Sequence, residues 1–207
     1  MILYNIVKRS IRWVLTTFCG AQEEGFENLP SSGGCIVCVN HKGFPDTWIV
    51  GTALPGFVRF IAKAELFAFK PFGWLMRKLG SIPVKRGKPD VGAMRAAEEI
   101  VRDGGLLVIF PQGKRYPVFR IEDGKPGAAR IAYRAGVPVI PAAKVKFRVV
   151  LGEPLVIGPD AKAETKRIME AIRGLLEREE GQEKKKKEKR GKKKVKRLPA
   201  GSEVKAT

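Results

Sequence analysis

The sequence lacks the features that mark disulfide-bonded, zinc-binding and membrane-spanning proteins. It contains three cysteines, and such a small, odd number argues against a disulfide framework and is typical of a reducing cytoplasm. Cys35 and Cys38 form a C-x-x-C pair, but no second pair exists to complete a zinc site. Both lie in a predicted strand, where residues three apart point to opposite faces, so we interpret them as small core residues. No uncharged apolar run approaches the roughly eighteen residues that an ordinary transmembrane helix needs.

A signal-peptide arrangement is also missing, because Lys8, Arg9 and Arg12 lie inside the first apolar stretch rather than before it. Residues 2–18 instead predict an amphipathic helix, since apolar side chains recur at helical spacing. That helix can pack against a domain core, or it can lie in a membrane interface with its basic residues toward anionic head groups and Trp13 among them. The sequence leaves both interpretations open, and one helix can do both with different faces.

Acidic residues are scarce, with 21 Asp and Glu against 40 Lys and Arg, so the net charge is +19. Residues 181–207 alone hold twelve Lys and Arg and three Asp and Glu. A surface this basic attracts polyanions, either nucleic acid or an anionic membrane. The lysine-rich segment lacks interleaved aromatic residues that would stack on bases, so nucleic acid is not the expected partner. We predict that residues 181–207 form a disordered tail with a weak attraction to anionic membranes.

The length of 207 residues suits one domain with a sizeable core. The predicted strands cover residues 34–39, 57–62, 81–84, 106–110, 137–141 and 146–151. The predicted helices between and after them cover residues 45–52, 63–68, 72–79, 88–103, 126–135 and 161–179. This alternation predicts an α/β fold with a largely parallel central sheet flanked by helices. We therefore divide the chain into an amphipathic membrane-interface helix at 1–20, one α/β domain at 21–180 and the disordered tail at 181–207.

Histidine is almost absent, because His41 is the single one in the chain. Asp46 follows it five residues later in an N-H-x4-D motif over residues 40–46. A histidine with an aspartate nearby offers a general base and a partner that orients it. The motif directly follows a predicted strand, and Pro45 fits the first turn of the next helix. No G-x-S-x-G motif is present to supply a serine nucleophile.

Basic residues follow three further predicted strands. Residues 110–115 form an F-P-x-G-x-R motif that ends in Arg115, Arg86 follows the strand at 81–84, and Lys63 follows the strand at 57–62. Arginine and lysine make strong charge-assisted contacts with phosphate. Because sites in open α/β sheets lie outside the carboxyl ends of the strands, we expect the motifs that follow strands at residues 40, 85 and 111 to converge. Solvated surface charge is the alternative interpretation of each basic residue.

Four sequence blocks in order resemble the 1-acylglycerol-3-phosphate (lysophosphatidate) acyltransferase family of bacterial phospholipid synthesis. The similarity extends from about Gly25 to Ile157, after a lead-in at Phe26–Pro30. The blocks are the N-H-x4-D motif at 40–46, Ile82–Arg86, Phe110–Arg115 and Val137–Pro141.

This resemblance implies a glycerophosphate acyltransferase-like fold and a membrane enzyme, monotopic or peripheral, on the cytoplasmic face of the cell membrane. It implies that His41 is the general base and that Asp46 orients it. The substrate-binding residues that it implies are Asn40, Lys63, Arg86, Gln112, Gly113 and Arg115. It implies no metal and no cofactor, with acyl-CoA or acyl-acyl carrier protein as co-substrate and a lysophospholipid as acceptor, most simply 1-acylglycerol-3-phosphate giving phosphatidate. Acyl carrier protein is then a candidate partner beside the anionic membrane surface.

Several positions depart from the family pattern. Gln112 stands where the family usually has glutamate, Lys114 where threonine is common and Tyr116 where serine is common, while Lys85 replaces a common aspartate. These changes make the phosphate end of the site more basic. They indicate a divergent member with an altered acceptor preference. The alternative is a catalytically impaired acyltransferase-like protein that binds anionic lipid or nucleic acid through its basic surface and tail.

An aromatic stretch over residues 67–74 has two interpretations. Its members are Phe67, Phe69, Phe72 and Trp74, with Pro71 among them. They can form a membrane-facing lip where acyl chains enter, or they can be ordinary core residues.

Overall fold

The computed structural model describes residues 2–85 and 90–195, and the strands within them form one seven-stranded sheet. The strands are β1 (Gln22–Glu24), β2 (Cys35–Val39), β3 (Val58–Lys63), β4 (Ser81–Val84), β5 (Leu106–Ile109), β6 (Val139–Val145) and β7 (Arg148–Leu151). Their order is β1-β7-β6-β2-β5-β3-β4. All neighbouring strands are parallel except β6 and β7. The predicted α/β fold with a largely parallel sheet is confirmed.

Helices flank this sheet. They are α1 (Ile2–Cys19), α2 (Asp46–Ala53), α3 (Lys70–Lys78), α4 (Val91–Arg102), α5 (Gly127–Ala135) and α6 (Ala161–Val195). Short 3₁₀ turns occupy Phe26–Asn28, Ala64–Phe67 and Ile121–Asp123. The helix predicted at 63–68 is one of these turns, because β3 stays paired with β4 as far as Lys63 opposite Val84. Within the described parts of the chain, no helix is both long and apolar enough to cross a membrane.

The alternating side chains of β2 build a core on both faces of the sheet. Ile36 and Cys38 pack in a cluster with residues of α4, α5 and α6, whereas Cys35 and Val37 pack in a second cluster with residues of α2. The two cysteines therefore point to opposite faces, as predicted. Burial raises the pKa of Cys35 to about 11, so its thiol stays protonated and behaves as a small apolar group.

The segment after Pro141 differs from the prediction. The sequence predicts two strands, at 137–141 and 146–151. Instead, β6 passes through Pro141 to Val145 and turns back into β7, with Lys146 at the turn in a left-handed conformation (φ 52°). The hairpin matters for the site, because it brings Lys144 into the sheet.

Helix α6 is also longer than predicted. It continues to Val195 instead of ending near residue 179. The prediction of disorder is therefore wrong for residues 181–195, and the remainder of that tail lies outside the described residues. The physical reason is composition: this stretch consists mainly of lysine, glutamate, glutamine and arginine, which all favour helix, and it contains no proline.

Helix α1 packs on the rest of the domain through one face. Tyr4 is buried, and its hydroxyl accepts a hydrogen bond from the Val58 N–H at 2.9 Å. The Lys8 ammonium donates to the carbonyls of Leu54 and Gly56, and Arg12 donates to those of Thr52 and Ala53. Carbonyls at a helix C-terminus attract cations. Two of the three basic residues that we expected at lipid head groups thus bind the end of α2 instead.

The environment of Lys8 reflects this position. Burial, and then the nearby Arg12 charge, lowers the pKa of Lys8 to about 8, against the opposing effect of Glu23. Arg9, in contrast, is exposed.

Candidate active site

His41 follows the end of β2, and its ring is held on two sides. Nδ1 lies 3.0 Å from Asp46 Oδ2. Since a carboxylate can accept but not donate, the proton in this hydrogen bond belongs to Nδ1, and Nε2 is left with a free lone pair. The ring stacks on Phe110 with 4.0 Å between centroids and 18° between planes. A base in this orientation can take a proton from a bound hydroxyl group.

Asp46 is fully buried at the start of α2. Its Oδ2 also accepts from the N–H groups of Lys42 at 2.6 Å and Gly43 at 2.7 Å. Its Oδ1 accepts from the Lys144 ammonium at 2.5 Å. Burial alone would raise the pKa of Asp46, but the hydrogen bonds from His41, Gly43 and Lys144, together with the Lys144 charge, hold it well below its usual range. Asp46 is therefore ionised at neutral pH and can accept the hydrogen bond from His41.

Sequence reasoning missed Lys144. A signal for it exists, because Ile140, Ala142 and Lys144 alternate on β6 and so share one face. Ile140 and Ala142 belong to the core cluster that packs against α2. A lysine is unusual at the next position of such an apolar face. Asp46, the first residue of α2, supplies the carboxylate that this lysine binds.

A cleft of about 570 Å³ opens beside His41. Its wall is mainly apolar and includes Phe60, Ile61, Leu66, Phe72, Met76, Val84, Ile109 and Ile131. Basic side chains also line it, namely Lys63, Lys114, Arg115 and Lys125. Apolar walls suit a hydrocarbon chain, and the cations suit an anionic group.

The predicted convergence occurs for the motifs at residues 40 and 111, whereas Lys85 of the motif at 85 is not among the residues that line the cleft. Lys63, Gly113 and Arg115 line the same cleft as His41. The loop after β5 is tied to the histidine loop, because the Tyr116 N–H donates to the His41 carbonyl at 3.0 Å. Gly113 makes this tight loop possible with a left-handed φ of 72°. Arg86 lies outside the described residues.

The individual cations have different surroundings. The Lys63 ammonium lies 3.1 Å from Glu65 in an exposed ion pair, and the Arg115 guanidinium lies 5.7 Å from the centre of the Phe44 ring. Lys125 was not predicted as a site residue. The Lys125 N–H donates to the Pro111 carbonyl at 2.8 Å, which brings it to the F-P-x-G-x-R loop.

Asn40 and Gln112 are not among the residues that line the cleft, so the structure does not bring them to the substrate as expected. Asn40 is fully buried, and its amide bonds the main chain of Lys144 in both directions, at 3.0 Å and 2.7 Å. Gln112 is 2% exposed, and its Nε2 has no hydrogen-bond partner among the described residues. Both side chains therefore point into the protein rather than into the cleft.

The aromatic stretch divides between the two interpretations. Phe67 is buried and Phe72 lines the cleft, whereas Phe69 and Trp74 are 70% and 54% exposed. The exposed pair is available for contact with a lipid surface, Phe67 is a packing residue, and Phe72 belongs to the wall of the cleft.

A mostly parallel α/β sheet that presents a buried His–Asp pair to an apolar cleft with cations at its wall is the arrangement of an acyltransferase. Residues 21–145 match the Acyltransferase family, and the chain belongs to it.

Individual relatives agree with this assignment. The chain is 29% identical to 1-acyl-sn-glycerol-3-phosphate acyltransferase of Bacillus subtilis (strain 168) over 168 residues, which cover 74% of this chain and 82% of that protein. It is 36% identical to the chloroplastic 1-acyl-sn-glycerol-3-phosphate acyltransferase BAT2 of Brassica napus over 121 residues, 57% of this chain and 35% of the longer plant protein.

A solved structure shares the fold. The crystal structure of the 1-acyl-sn-glycerophosphate acyltransferase PlsC from Thermotoga maritima aligns with a TM-score of 0.67 at 24% identity. The alignment covers 85% of this chain and 79% of that one.

Proposed function

We propose that this acyltransferase moves a fatty acyl group from a thioester, acyl-CoA or acyl-acyl carrier protein, to the free hydroxyl of a lysophospholipid. The proposed acceptor is 1-acylglycerol-3-phosphate, and the product is then phosphatidate. The observation that carries the proposal is the His41–Asp46 pair at an apolar cleft that also holds Lys63, Arg115 and Lys125. The Bacillus and Brassica relatives, which are named for this activity, support it.

The proposed chemistry uses the free Nε2 of His41. It takes the proton from the acceptor hydroxyl while that oxygen attacks the thioester carbonyl carbon. The C–O bond forms, the C–S bond breaks, and the departing thiolate receives the proton from the imidazolium. Asp46 holds the ring in the required tautomer and stabilises its charged form. General-base assistance of this kind is worth about 10²–10⁴-fold in rate.

Substrate binding divides between the two kinds of wall. Hydrocarbon chains would lie along Phe60, Phe72 and Met76, and the acceptor phosphate would bind Arg115 with help from Lys63 and Lys125. Arginine is the strongest candidate, because its planar guanidinium can bind two phosphate oxygens at once. The proposed role of Arg86 belongs with this group. All chemical groups of the proposed reaction come from His41, Asp46 and the two substrates.

The proposed location is the cytoplasmic face of the cell membrane, with monotopic or peripheral attachment. Helix α1 packs on the domain through Tyr4 and leaves apolar residues exposed on its other side, among them Ile2 (79%), Ile6 (58%) and Trp13 (62%). An amphipathic helix that keeps such residues outward is typical of interfacial attachment. Phe69 and Trp74 add exposed aromatic area.

An assay of thiol release tests the proposal. Purified protein is given acyl-CoA or acyl-acyl carrier protein with a panel of acceptors: lysophosphatidate, other lysophospholipids and monoacylglycerol. We expect thiol release that depends on an acceptor and is fastest with lysophosphatidate. Release that is absent with every acceptor, while the protein still binds anionic vesicles, would favour the catalytically impaired alternative.

A further inference from the structure

The buried ammonium group of Lys144 adds a third charged group to the His41–Asp46 pair. A His–Asp pair can act as a base and its orienting partner without such a group. Its Nζ lies 2.5 Å from Asp46 Oδ1, and the residue is 8% exposed. Lys144 is not among the residues that line the cleft. It therefore contacts Asp46 without forming part of the cleft wall.

The main chain of Lys144 is anchored to the loop that carries the histidine. The Asn40 amide donates to the Lys144 carbonyl at 3.0 Å and accepts from the Lys144 N–H at 2.7 Å. Asn40 directly precedes His41, and Asp46 joins the two side chains through its two oxygens. Lysine, aspartate, histidine and asparagine thus form a closed ring of contacts that fixes the positions of all four.

This ring determines how much negative charge the imidazole meets. A buried carboxylate with no other charged partner would attract a protonated imidazole strongly. Because Asp46 is also bound to a cation, part of that attraction is cancelled, and the protonated form of His41 is stabilised less. The other charged groups near His41 do not replace Lys144. Across the cleft they are Lys63 on β3, Lys114 and Arg115 after β5 and Lys125 before α5, and next in sequence Lys42 pairs with Glu180 of α6 at 3.4 Å.

We propose that Lys144 is a positioning residue that fixes Asp46 against His41 and limits how strongly this carboxylate stabilises the protonated imidazole. The catalytic consequence rests on the proposed function, because it assumes that neutral His41 is the base. The charge coupling itself does not depend on turnover and can be measured separately.

The chain offers a direct probe, because His41 is its single histidine. In tag-free protein, the imidazole signals in an NMR titration belong to His41 without further assignment. Lys144→Met removes the charge and keeps the length and most of the apolar stem. Lys146→Met is the matched control, because it lies two residues further on, in an exposed ion pair with Glu183 at 2.8 Å.

In Lys144→Met we expect the midpoint of the imidazole titration to move to higher pH by about one unit, since His41 then has the Asp46 charge to itself. The acid limb of the kcat profile should move upward with it, because the protonated ring is not a base. The kcat plateau should fall at least about tenfold as Asp46 loses its anchor, with KM for the acceptor unchanged. Lys144→Arg should restore much of the rate, and Lys146→Met should move none of these quantities.

An unmoved imidazole titration in folded Lys144→Met would overturn the inference, and so would an equal shift in Lys146→Met. Lys144→Gln keeps a donor for Asp46 without the charge, so it provides the same test if the methionine variant does not fold. If the wild-type protein transfers no acyl group, the proposed function fails, whereas a titration shift confined to the Lys144 variants would still support the charge coupling.

Discussion

At the scale of single residues, Asp46 connects three parts of the chain. One oxygen binds His41 and the main chain of the loop that follows it, and the other binds Lys144 on a different strand. The carboxylate is also fully buried. Stability and the orientation of the base therefore depend on the same group, and its ionisation can be followed through the pH dependence of folding.

Asp46→Asn should lower the free energy of unfolding at pH 7 by about 3 kcal/mol, because it leaves Lys144 as a buried cation without its partner. The pKa of Asp46 lies below its unfolded value of about 3.9, so the carboxylate stabilises the fold above that pH and loses this effect as pH falls. The difference between wild type and variant should therefore shrink between about pH 5 and the acid limit of the folded state. Urea unfolding over this range measures it.

The control is Asp103→Asn, which removes an exposed carboxylate at the end of α4 and should change stability by no more than about 0.5 kcal/mol. A stability difference for Asp46→Asn that stays constant from pH 7 to pH 3 would contradict the assigned ionisation.

The proposed role of Arg115 is to bind the acceptor phosphate rather than the reacting atoms. Arg115→Ala should raise KM for lysophosphatidate by about tenfold or more and leave kcat nearly unchanged, because the lost contact is made equally in the ground state and the transition state. With monoacylglycerol, which carries no phosphate, the same variant should behave like wild type. Steady-state kinetics on both acceptors decide the matter.

Arg173→Ala is the matched control, because it removes an exposed arginine of α6 that pairs with Glu177. A kcat that falls in Arg115→Ala equally with both acceptors would assign this arginine to the structure of the loop instead of the phosphate.

At the scale of elements, the strand ends define the site and α1 defines its surroundings. The loops after β2 and β5 meet because those strands are parallel neighbours in register, with Cys38 opposite Ile109. Helix α1 binds the carbonyl end of α2, the same helix whose first residue is Asp46. Removing α1 would thus disturb the core as well as any attachment, and point substitutions on its outer face are the cleaner test.

Trp13→Glu should weaken binding of the protein to phosphatidylglycerol vesicles by about tenfold or more, since it replaces an exposed apolar anchor by an anion. Asn5→Glu adds the same charge to an exposed polar position of α1 and should have a much smaller effect. Sedimentation with vesicles compares the two. Equal binding by Trp13→Glu and wild type would mean that the outer face of α1 does not contact the membrane.

The elements also show what a single sequence can predict. Buried strands such as β2 and β5 were predicted because they are short apolar runs that end at polar motifs. The strand β1 was missed, since three residues are too few for a pattern and it forms through pairing with β7. The full length of β6 was not predicted, since its last residues form a strand through pairing with β7.

At the scale of the whole molecule, the sequence correctly predicted the fold class, the pairing of His41 with Asp46 and the convergence of the loops at residues 40 and 111. Convergence follows from a general property of parallel sheets, whose strands end at the same edge. It can therefore be predicted without knowing how individual side chains pack. The inward orientation of Asn40 and Gln112 and the contact between Lys144 and Asp46 could not be predicted in this way. Each depends on the register of strands or loops far apart in the chain, which local spacing does not contain.

The basic character of the molecule has several origins rather than one. Cations line the cleft, bind the end of α2 and support the buried carboxylate, and only part of the charge belongs to the lysine-rich end of α6. The site is nevertheless specified by few groups, and the proposed chemistry depends most on one of them, the His41 imidazole at the cleft.

The most direct test is the rate of acyl transfer to lysophosphatidate by His41→Ala. The substitution removes the only imidazole and should leave the fold intact, as checked by circular dichroism and by urea unfolding. We expect the acceptor-dependent release of thiol to fall by at least about 10²-fold, because the proposed general base is lost. A folded His41→Ala protein that keeps more than a few per cent of wild-type activity would contradict the assignment of His41 as the general base.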